Sequence, residues 1–446
     1  MKTPIVDFLK GYAARDIARF HMPGHKGRGA LDAARFDITE VQGADVLYHA
    51  DGVIADSMAN ATALFGTAAT LYSTEGSTLA IKAMLALVAA DAPKGARPRV
   101  LAARNAHKAF LYGAALLDMD ITWLMPHGTA HLCACPLTAR EVEQALAAEQ
   151  TLPQAVYLTS PDYLGNVADV AGIAAACKRY GVPLLVDNAH GAYLRFLSPS
   201  RHPMDLGATM CADSAHKTLS ALTGAAYLHI AKDAPSRYVA GAPAALSLFA
   251  STSPSYLVLG SLDLCNSTLA TGYGEALAKT VLRIEETRKR LAENGLALYG
   301  DEPLKLTLDA AACGYTGEAL ADTLREKGIE PEFADKDFLV LMISPANTEG
   351  ELDLLERALL SVVPQAPRVK EAPPLSRPAL ACTPREALLA PAEEIDVALA
   401  LGRVLAAPTV ACPPAVPILM SGEVIDAAAQ ALFQKYGVTR VRVLKE

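Results

Sequence analysis

Four stretches of the chain combine residue types that can do chemistry, three of them directly after an apolar, β-rich run. In Asp213-Ser214-Ala-His216-Lys217-Thr218 a lysine is preceded by Ser and His and followed by small residues. An amine in that setting is a candidate Schiff-base nucleophile; an isolated loop lysine is otherwise a solvated surface group. One run earlier, Leu184-Leu-Val-Asp187-Asn188-Ala-His190-Gly191 ends an apolar strand on a carboxylate. An ionised Asp there costs on the order of several kcal/mol to desolvate unless a cation partners it. The protonated ring nitrogen of pyridoxal phosphate (PLP) is such a cation, and the pairing sharpens its use as an electron sink. The same Asp could instead cap the next turn.

Upstream, Ser73-Thr-Glu75-Gly76-Ser77-Thr78 opens a helical run. A glycine and two hydroxyls at a helix start offer backbone N–H groups, the positive dipole end and side-chain donors, which suits a phosphate. It is also an ordinary N-cap. Arg104-Asn-Ala-His107-Lys108 follows a further apolar run, and its imidazole could lie flat on an aromatic cofactor or serve only the fold.

The elements that must position these residues alternate from about residue 60 to 230. Residues 99–103, 121–124, 155–159, 183–187, 208–213 and 225–230 read as buried strands, and 77–90, 138–148 and 170–180 as helices between them. That alternation predicts an α/β fold with a mostly parallel sheet covered on both faces, and places a ligand at the carboxyl ends of its strands. After residue 263 the texture changes. Residues 271–294 read as one long charged helix, an αβ segment follows to about 363, and the Pro-rich stretch 363–374 reads as a linker. The expected organisation is an N-terminal segment 1–60, a large domain 61–270, a small αβ domain 271–365 and a C-terminal domain 366–446.

Composition narrows the function. Forty basic against 48 acidic residues among 446 give a net charge of −8, without the basic patch of a nucleic-acid binder. Asp7, Lys10, Arg15 and Asp16 interrupt the N-terminus, which predicts no secretory signal, and no long uncharged apolar run suggests a membrane span. Eight scattered cysteines are too few for a disulfide scaffold. A cytoplasmic, reduced enzyme acting on a small molecule is expected.

With these residues in order, the chain resembles the Orn/Lys/Arg decarboxylase family of fold type I, PLP-dependent, transferase-like enzymes. The resemblance runs nearly end to end. It includes HisMetProGlyHisLysGly (21–27), AspIleThrGluValGlnGlyAlaAspValLeu (37–47), ArgAsnAlaHisLys (104–108), ValAspAsnAlaHisGlyAla (186–192) and SerAlaHisLysThrLeu (214–219). It continues through SerThrSerProSerTyr (251–256), ThrProArgGluAla (383–387) and ProProAlaValProIleLeuMetSerGlyGlu (413–423). The resemblance implies that Lys217 carries PLP as a Schiff base, Asp187 pairs with the pyridine nitrogen, His107 stacks on the ring and His190 lines its other side. It implies that Gly76, Ser77, Thr78, Ser214 and His216 hold or flank the phosphate, with His216 or Lys217 as the proton donor. Ser251 or Thr252 would reach the phosphate of a neighbouring subunit, so a homodimer or higher oligomer with shared sites is expected. The substrate would be arginine, lysine or ornithine, and the product the corresponding amine. An aminotransferase or another PLP lyase would use the same Lys and Asp.

Five positions depart from the family pattern: Asn188 for Glu, Glu75 for Asn, Asp162 for Thr, and Cys412 for Tyr with Ala415 for Gly in one Tyr-Pro-Pro-Gly element. They border the substrate pocket in the family, which leaves the preferred amino acid open. The chain resembles the short form, without the long N-terminal response-regulator-like domain. A basic side chain needs an acidic recess, for which Glu332, Glu423 and Asp162 are candidates. The cluster His127, His131, Cys133 and Cys135 superficially suggests zinc but lacks a second Cys-x-x-Cys half, so no metal is expected.

Overall fold

A computed structural model describes residues 1–15, 17–126, 131–370, 377–408 and 415–445. Seven strands make the large sheet: Ala69–Ser73 (β1), Arg99–Ala103 (β2), Asp120–Leu124 (β3), Ala155–Thr159 (β4), Leu184–Asp187 (β5), Met210–Asp213 (β6) and Ala226–Ile230 (β7). Their order is β1-β7-β6-β5-β4-β2-β3. The pairs β2–β3, β2–β4, β4–β5 and β5–β6 are parallel, whereas β7 runs antiparallel to both β6 and β1. β1 therefore runs in the direction of β6, and the carboxyl ends of every strand but β7 lie on one side.

The sheet is buried on both faces because side chains alternate across it. Val100, Ala102, Tyr157, Leu185 and Met210 pack with Leu79, Met84 and Val88 of the helix Gly76–Ala89. Leu101, Val156, Leu158, Leu184 and Val186 face Val142, Leu146 and Ile173 of the helices Ala139–Ala148 and Val170–Arg179. Each fully buried aliphatic side chain of this kind contributes about 1.5–3 kcal/mol. The fold class expected from the sequence is the one observed, with six of the seven strands anticipated. β1 was not.

The helix Tyr273–Glu293 leads into a four-stranded antiparallel sheet of Leu298–Tyr299 (β8), Lys305–Asp309 (β9), Phe333–Ala334 (β10) and Phe338–Met342 (β11), ordered β10-β11-β9-β8. A third sheet, Ala392–Asp396 (β12), Leu405–Ala407 (β13) and Arg440–Leu444 (β14), has β14 in its centre. It is clamped to the large sheet by Arg104, whose Nη2 donates to Glu423 Oε2 at 3.0 Å and to the Ile418 carbonyl at 3.1 Å. Among the described residues, no helix is long and apolar enough to cross a membrane.

Candidate active site

The carboxyl edge of the large sheet gathers most of the residues singled out by chemistry. Asp187 is the last residue of β5 and only 2% exposed. Its Oδ1 accepts from the Ala189 N–H and its Oδ2 from the Tyr157 hydroxyl, both at 3.2 Å. Burial pushes its pKa up, and the positive charge of Lys217 is the first influence pulling it back. A buried carboxylate with so few donors accommodates a further cation.

Lys217 sits in the short helix Ala215–Thr218 that follows β6. Its Nζ lies 3.1 Å from His190 Nε2. Burial, and then the charge of Lys217, hold the His190 imidazole far below its usual pKa, so the ring is neutral. Nε2 then accepts from the ammonium, Nδ1 carries the ring proton, and that buried Nδ1 has no hydrogen-bond partner. The Tyr163 ring meets His190 edge-on, with centroids 5.0 Å apart.

His107 caps the helix Lys108–Leu116 through Nδ1, which accepts from the Ala109 N–H at 3.1 Å. Burial first, then the charges of Lys217 and Lys108, push its pKa down to about 4, which keeps the ring neutral near pH 7. Lys108, a second lysine that follows a histidine after a strand, donates its backbone N–H to the Ala415 carbonyl at 3.0 Å and lies at the start of that helix.

The helix start after β1 is built around Gly76, which has φ +73° and open space where a Cβ would stand. Its N–H donates to the Gly224 carbonyl at 2.8 Å. The Ser214 hydroxyl donates to Ser77 Oγ at 2.9 Å, which joins the helix start to the turn that bears Lys217. Ser77 is buried and Thr78 exposed. His216 Nδ1 lies 3.0 Å from the Ala225 carbonyl, which turns its ring toward the loop before β7. Ser251 and Thr252 are exposed, and the Ser251 N–H donates to Glu75 Oε1 of the same chain at 2.8 Å.

Residues 3–309 match the family described as Orn/Lys/Arg decarboxylase, major domain. The chain belongs to the Orn/Lys/Arg decarboxylase family. As a member it is an amino-acid decarboxylase. It is 28% identical over 441 residues to an arginine decarboxylase of Bacillus subtilis, covering 91% of this chain and 87% of the relative. Two solved structures share its fold. The Francisella novicida lysine decarboxylase LdcF has a TM-score of 0.81 at 17% identity, over 99% of this chain and 81% of that one. The constitutive lysine decarboxylase of Escherichia coli has a TM-score of 0.78 at 18% identity, over 100% and 82%.

Family and fold imply PLP, and the residues of this decarboxylase fit it. The open space over Gly76, the helix start beside paired hydroxyls, the sparsely bonded Asp187 and the orphaned Nδ1 of His190 are what a phosphorylated, cationic aromatic ring would use. Of the acidic candidates, Asp162 is consumed by its own loop, accepting from the Leu164 and Asn166 N–H groups at 2.9 Å and from Asn166 Nδ2 at 2.6 Å. Glu423 is paired with Arg104, both 3% exposed. Glu332 accepts from the Tyr163 hydroxyl at 2.6 Å and lines a cavity of about 470 Å³ with His131, Asp335 and Tyr436. His131 is bonded there to Asp335 Oδ2 at 2.8 Å. His127 and Cys412 lie outside the described residues.

Sequence reasoning passed over Tyr163 and Asp213. Tyr163 connects His190 to Glu332, two residues far apart in the chain. The only local signal was its place beside Asp162, in a stretch that departs from the family pattern.

Proposed function

We propose that this decarboxylase removes the α-carboxyl group of arginine, lysine or ornithine and releases the corresponding amine, with PLP as its cofactor. PLP supplies, when bound, a carbonyl that condenses with amines and a ring that withdraws electrons. Lys217 is its attachment point, and Asp187 holds a proton at the ring nitrogen. Neutral His107 offers a flat, uncharged face, and neutral His190 offers its Nδ1–H as a donor. Gly76, Ser77, Thr78, Ser214 and His216 hold or border the phosphate. Lys217 or His216 returns a proton to the substrate Cα.

One observation carries the reading: Lys217, Asp187, His190 and the Ser77–Ser214 pair converge at one edge of the sheet in a member of this family. Glu332, held by Tyr163, is the acidic anchor we assign to the substrate's basic end. We further propose the division 1–60, 61–270, 271–365 and 366–446, of which the last three segments each hold one sheet, a cytoplasmic location, and a homodimer or higher oligomer in which Ser251 or Thr252 completes the partner's site. The test is carbon dioxide release from the three amino acids by PLP-loaded protein. Release from one or more supports the reading. Formation of a keto acid without carbon dioxide would replace it by an aminotransferase.

A further inference from the structure

We propose that Asp213 is a positioning residue of the active site, an ionised buried carboxylate that ties the end of β5 to the end of β6 and lends its negative charge to the Lys217 side. Asp213 is the last residue of β6, immediately before Ser214 and the turn bearing Lys217, and it is fully buried. Four groups surround its carboxylate. His202 Nε2 and His229 Nε2 lie 2.9 and 3.1 Å from Oδ2, and Asn188 Nδ2 and Cys211 Sγ lie 2.7 and 3.3 Å from Oδ1. His202, His229, Asn188 and Cys211 are all fully buried as well.

The hydrogen bonds decide the proton positions. His202 Nδ1 accepts from the Met204 N–H at 3.3 Å, so its Nε2 carries the proton and donates to Asp213. His229 Nδ1 lies 2.9 Å from the Thr70 hydroxyl, which can donate to it, leaving Nε2–H for the carboxylate. Asp213 thus receives two N–H donors from neutral rings, one amide donor and one thiol donor. Burial pushes its pKa up, but the two imidazoles of His202 and His229 beside it hold it far below the usual range. Among the described residues no arginine or lysine is bonded to it, and the negative charge is that of Asp213 itself.

That charge borders the site from two sides. Asn188 follows Asp187 directly, and its amide can face Asp213 only through Nδ2, which fixes the backbone just past Asp187. The charge is also felt at Asp187, whose ionisation Asp213 opposes while Lys217 favours it. A buried carboxylate at the end of β6, four positions before Lys217, favours the cationic form of the nitrogen that Lys217 brings to the site.

The inference rests on the PLP reading above, and the experiment separates the two. Wild-type, Asp213→Asn and Asn188→Ala proteins are loaded with PLP; cofactor affinity and the pH midpoint of the bound cofactor's visible absorbance are measured. Asp213→Asn removes the charge at constant shape: its amide oxygen can go on accepting from His202 and His229, while its NH2 faces Cys211 Sγ and the Asn188 amide, which can flip to present Oδ1. Its midpoint should fall on the order of one unit, because the cationic nitrogen loses a stabilising charge. Asn188→Ala keeps the charge but cuts the tie to β5. It should leave the midpoint in place and weaken PLP binding about tenfold. Wild-type protein that takes up no PLP would overturn the cofactor reading, and this inference with it. Wild-type uptake with an unmoved midpoint in Asp213→Asn, or unchanged affinity in Asn188→Ala should Asp213→Asn fail to fold, would overturn the inference alone.

Discussion

The ammonium of Lys217 lies 3.1 Å from Nε2 of His190, two residues that follow the neighbouring parallel strands β6 and β5. The contact needs a neutral imidazole, and burial beside a cation provides one. It also leaves the opposite ring nitrogen of His190 with a proton and no acceptor. Lysine and histidine thus present a cationic amine and an N–H donor to the same space, from a frame fixed by sheet register.

Lys217→Ala should remove the visible absorbance of PLP-loaded protein together with all turnover. Lys108 is the rival by sequence, but it begins a helix whose N-terminal backbone is bonded to the Ala415 carbonyl. Borohydride reduction followed by peptide mapping identifies the modified residue. A label on a lysine other than 217 sinks the assignment.

Asp187→Asn preserves shape but cannot hold the proton on a ring nitrogen. Losing a buried charge-assisted bond costs about 3 kcal/mol, so the rate should fall on the order of a hundredfold while much of the cofactor stays bound. Steady-state rates and cofactor content measured on one preparation check this. A rate within about twofold of wild type would take Asp187 out of the mechanism.

Stability without cofactor should depend on pH through His107. Its pKa is lowered from 6.5 to about 4 on folding. The unfolded chain therefore takes up the proton first as pH falls, and a stabilising contribution present above about 6.5 is lost on the way down to about 4. Allowing for partial exposure, the loss is about 2 kcal/mol. His107→Asn keeps a capping acceptor for the Ala109 N–H and removes the titration. Urea unfolding at pH 7 and 4.5 should show a smaller drop for the variant; an equal drop contradicts the argument.

The large sheet was legible because its strands are short apolar runs separated by amphipathic helices, and a parallel sheet buried on both faces requires that composition. β1 lacks that signal: ThrLeuTyrSer is half polar, and the Thr70 and Ser73 hydroxyls bond to neighbours rather than pack. The candidate site was legible wherever its residues adjoin a strand end in one short motif, as with the candidates Lys217, Asp187 and His107. What could not be read were pairings across hundreds of residues. Glu423 looked available for substrate, yet it closes a buried bridge to Arg104, 319 positions away. Asp213 was visible only as the start of the lysine motif, because His202 and His229 reach it through the fold of a loop and the antiparallel β7.

The acidic candidates therefore separate by experiment. Glu332→Gln should raise KM for the preferred basic amino acid about tenfold with little change in cofactor affinity, since it removes one exposed charge held by Tyr163. Glu423→Gln should instead destabilise the protein by about 3–5 kcal/mol, because Arg104 would stay buried without its counter-ion. Kinetics and chemical unfolding of both variants check the contrast. A KM effect in Glu423→Gln without loss of stability would reverse the assignments.

The last prediction concerns assembly. Ser251 and Thr252 are exposed, and the Ser251 N–H is held by Glu75, one residue before the glycine that opens the candidate phosphate site. Within one chain the Ser251 backbone is thus tied to the chain's own helix start; in the shared-site dimer the hydroxyls serve the partner's. Two-fold pairing is the commonest symmetry of soluble enzymes and allows that exchange. Mixed dimers of a Lys217→Ala chain with a Ser251→Ala/Thr252→Ala chain decide between the arrangements. If the hydroxyls act across the interface, each heterodimer has one intact site, made of Lys217 from the second chain and the hydroxyls of the first. Activity should then recover toward half of wild type per heterodimer. If they act within their own chain, the lysine-bearing subunit keeps its defective phosphate site, and the mixture is no more active than its parents. Separating heterodimers with two different affinity tags before assay ties the activity to a species of known composition.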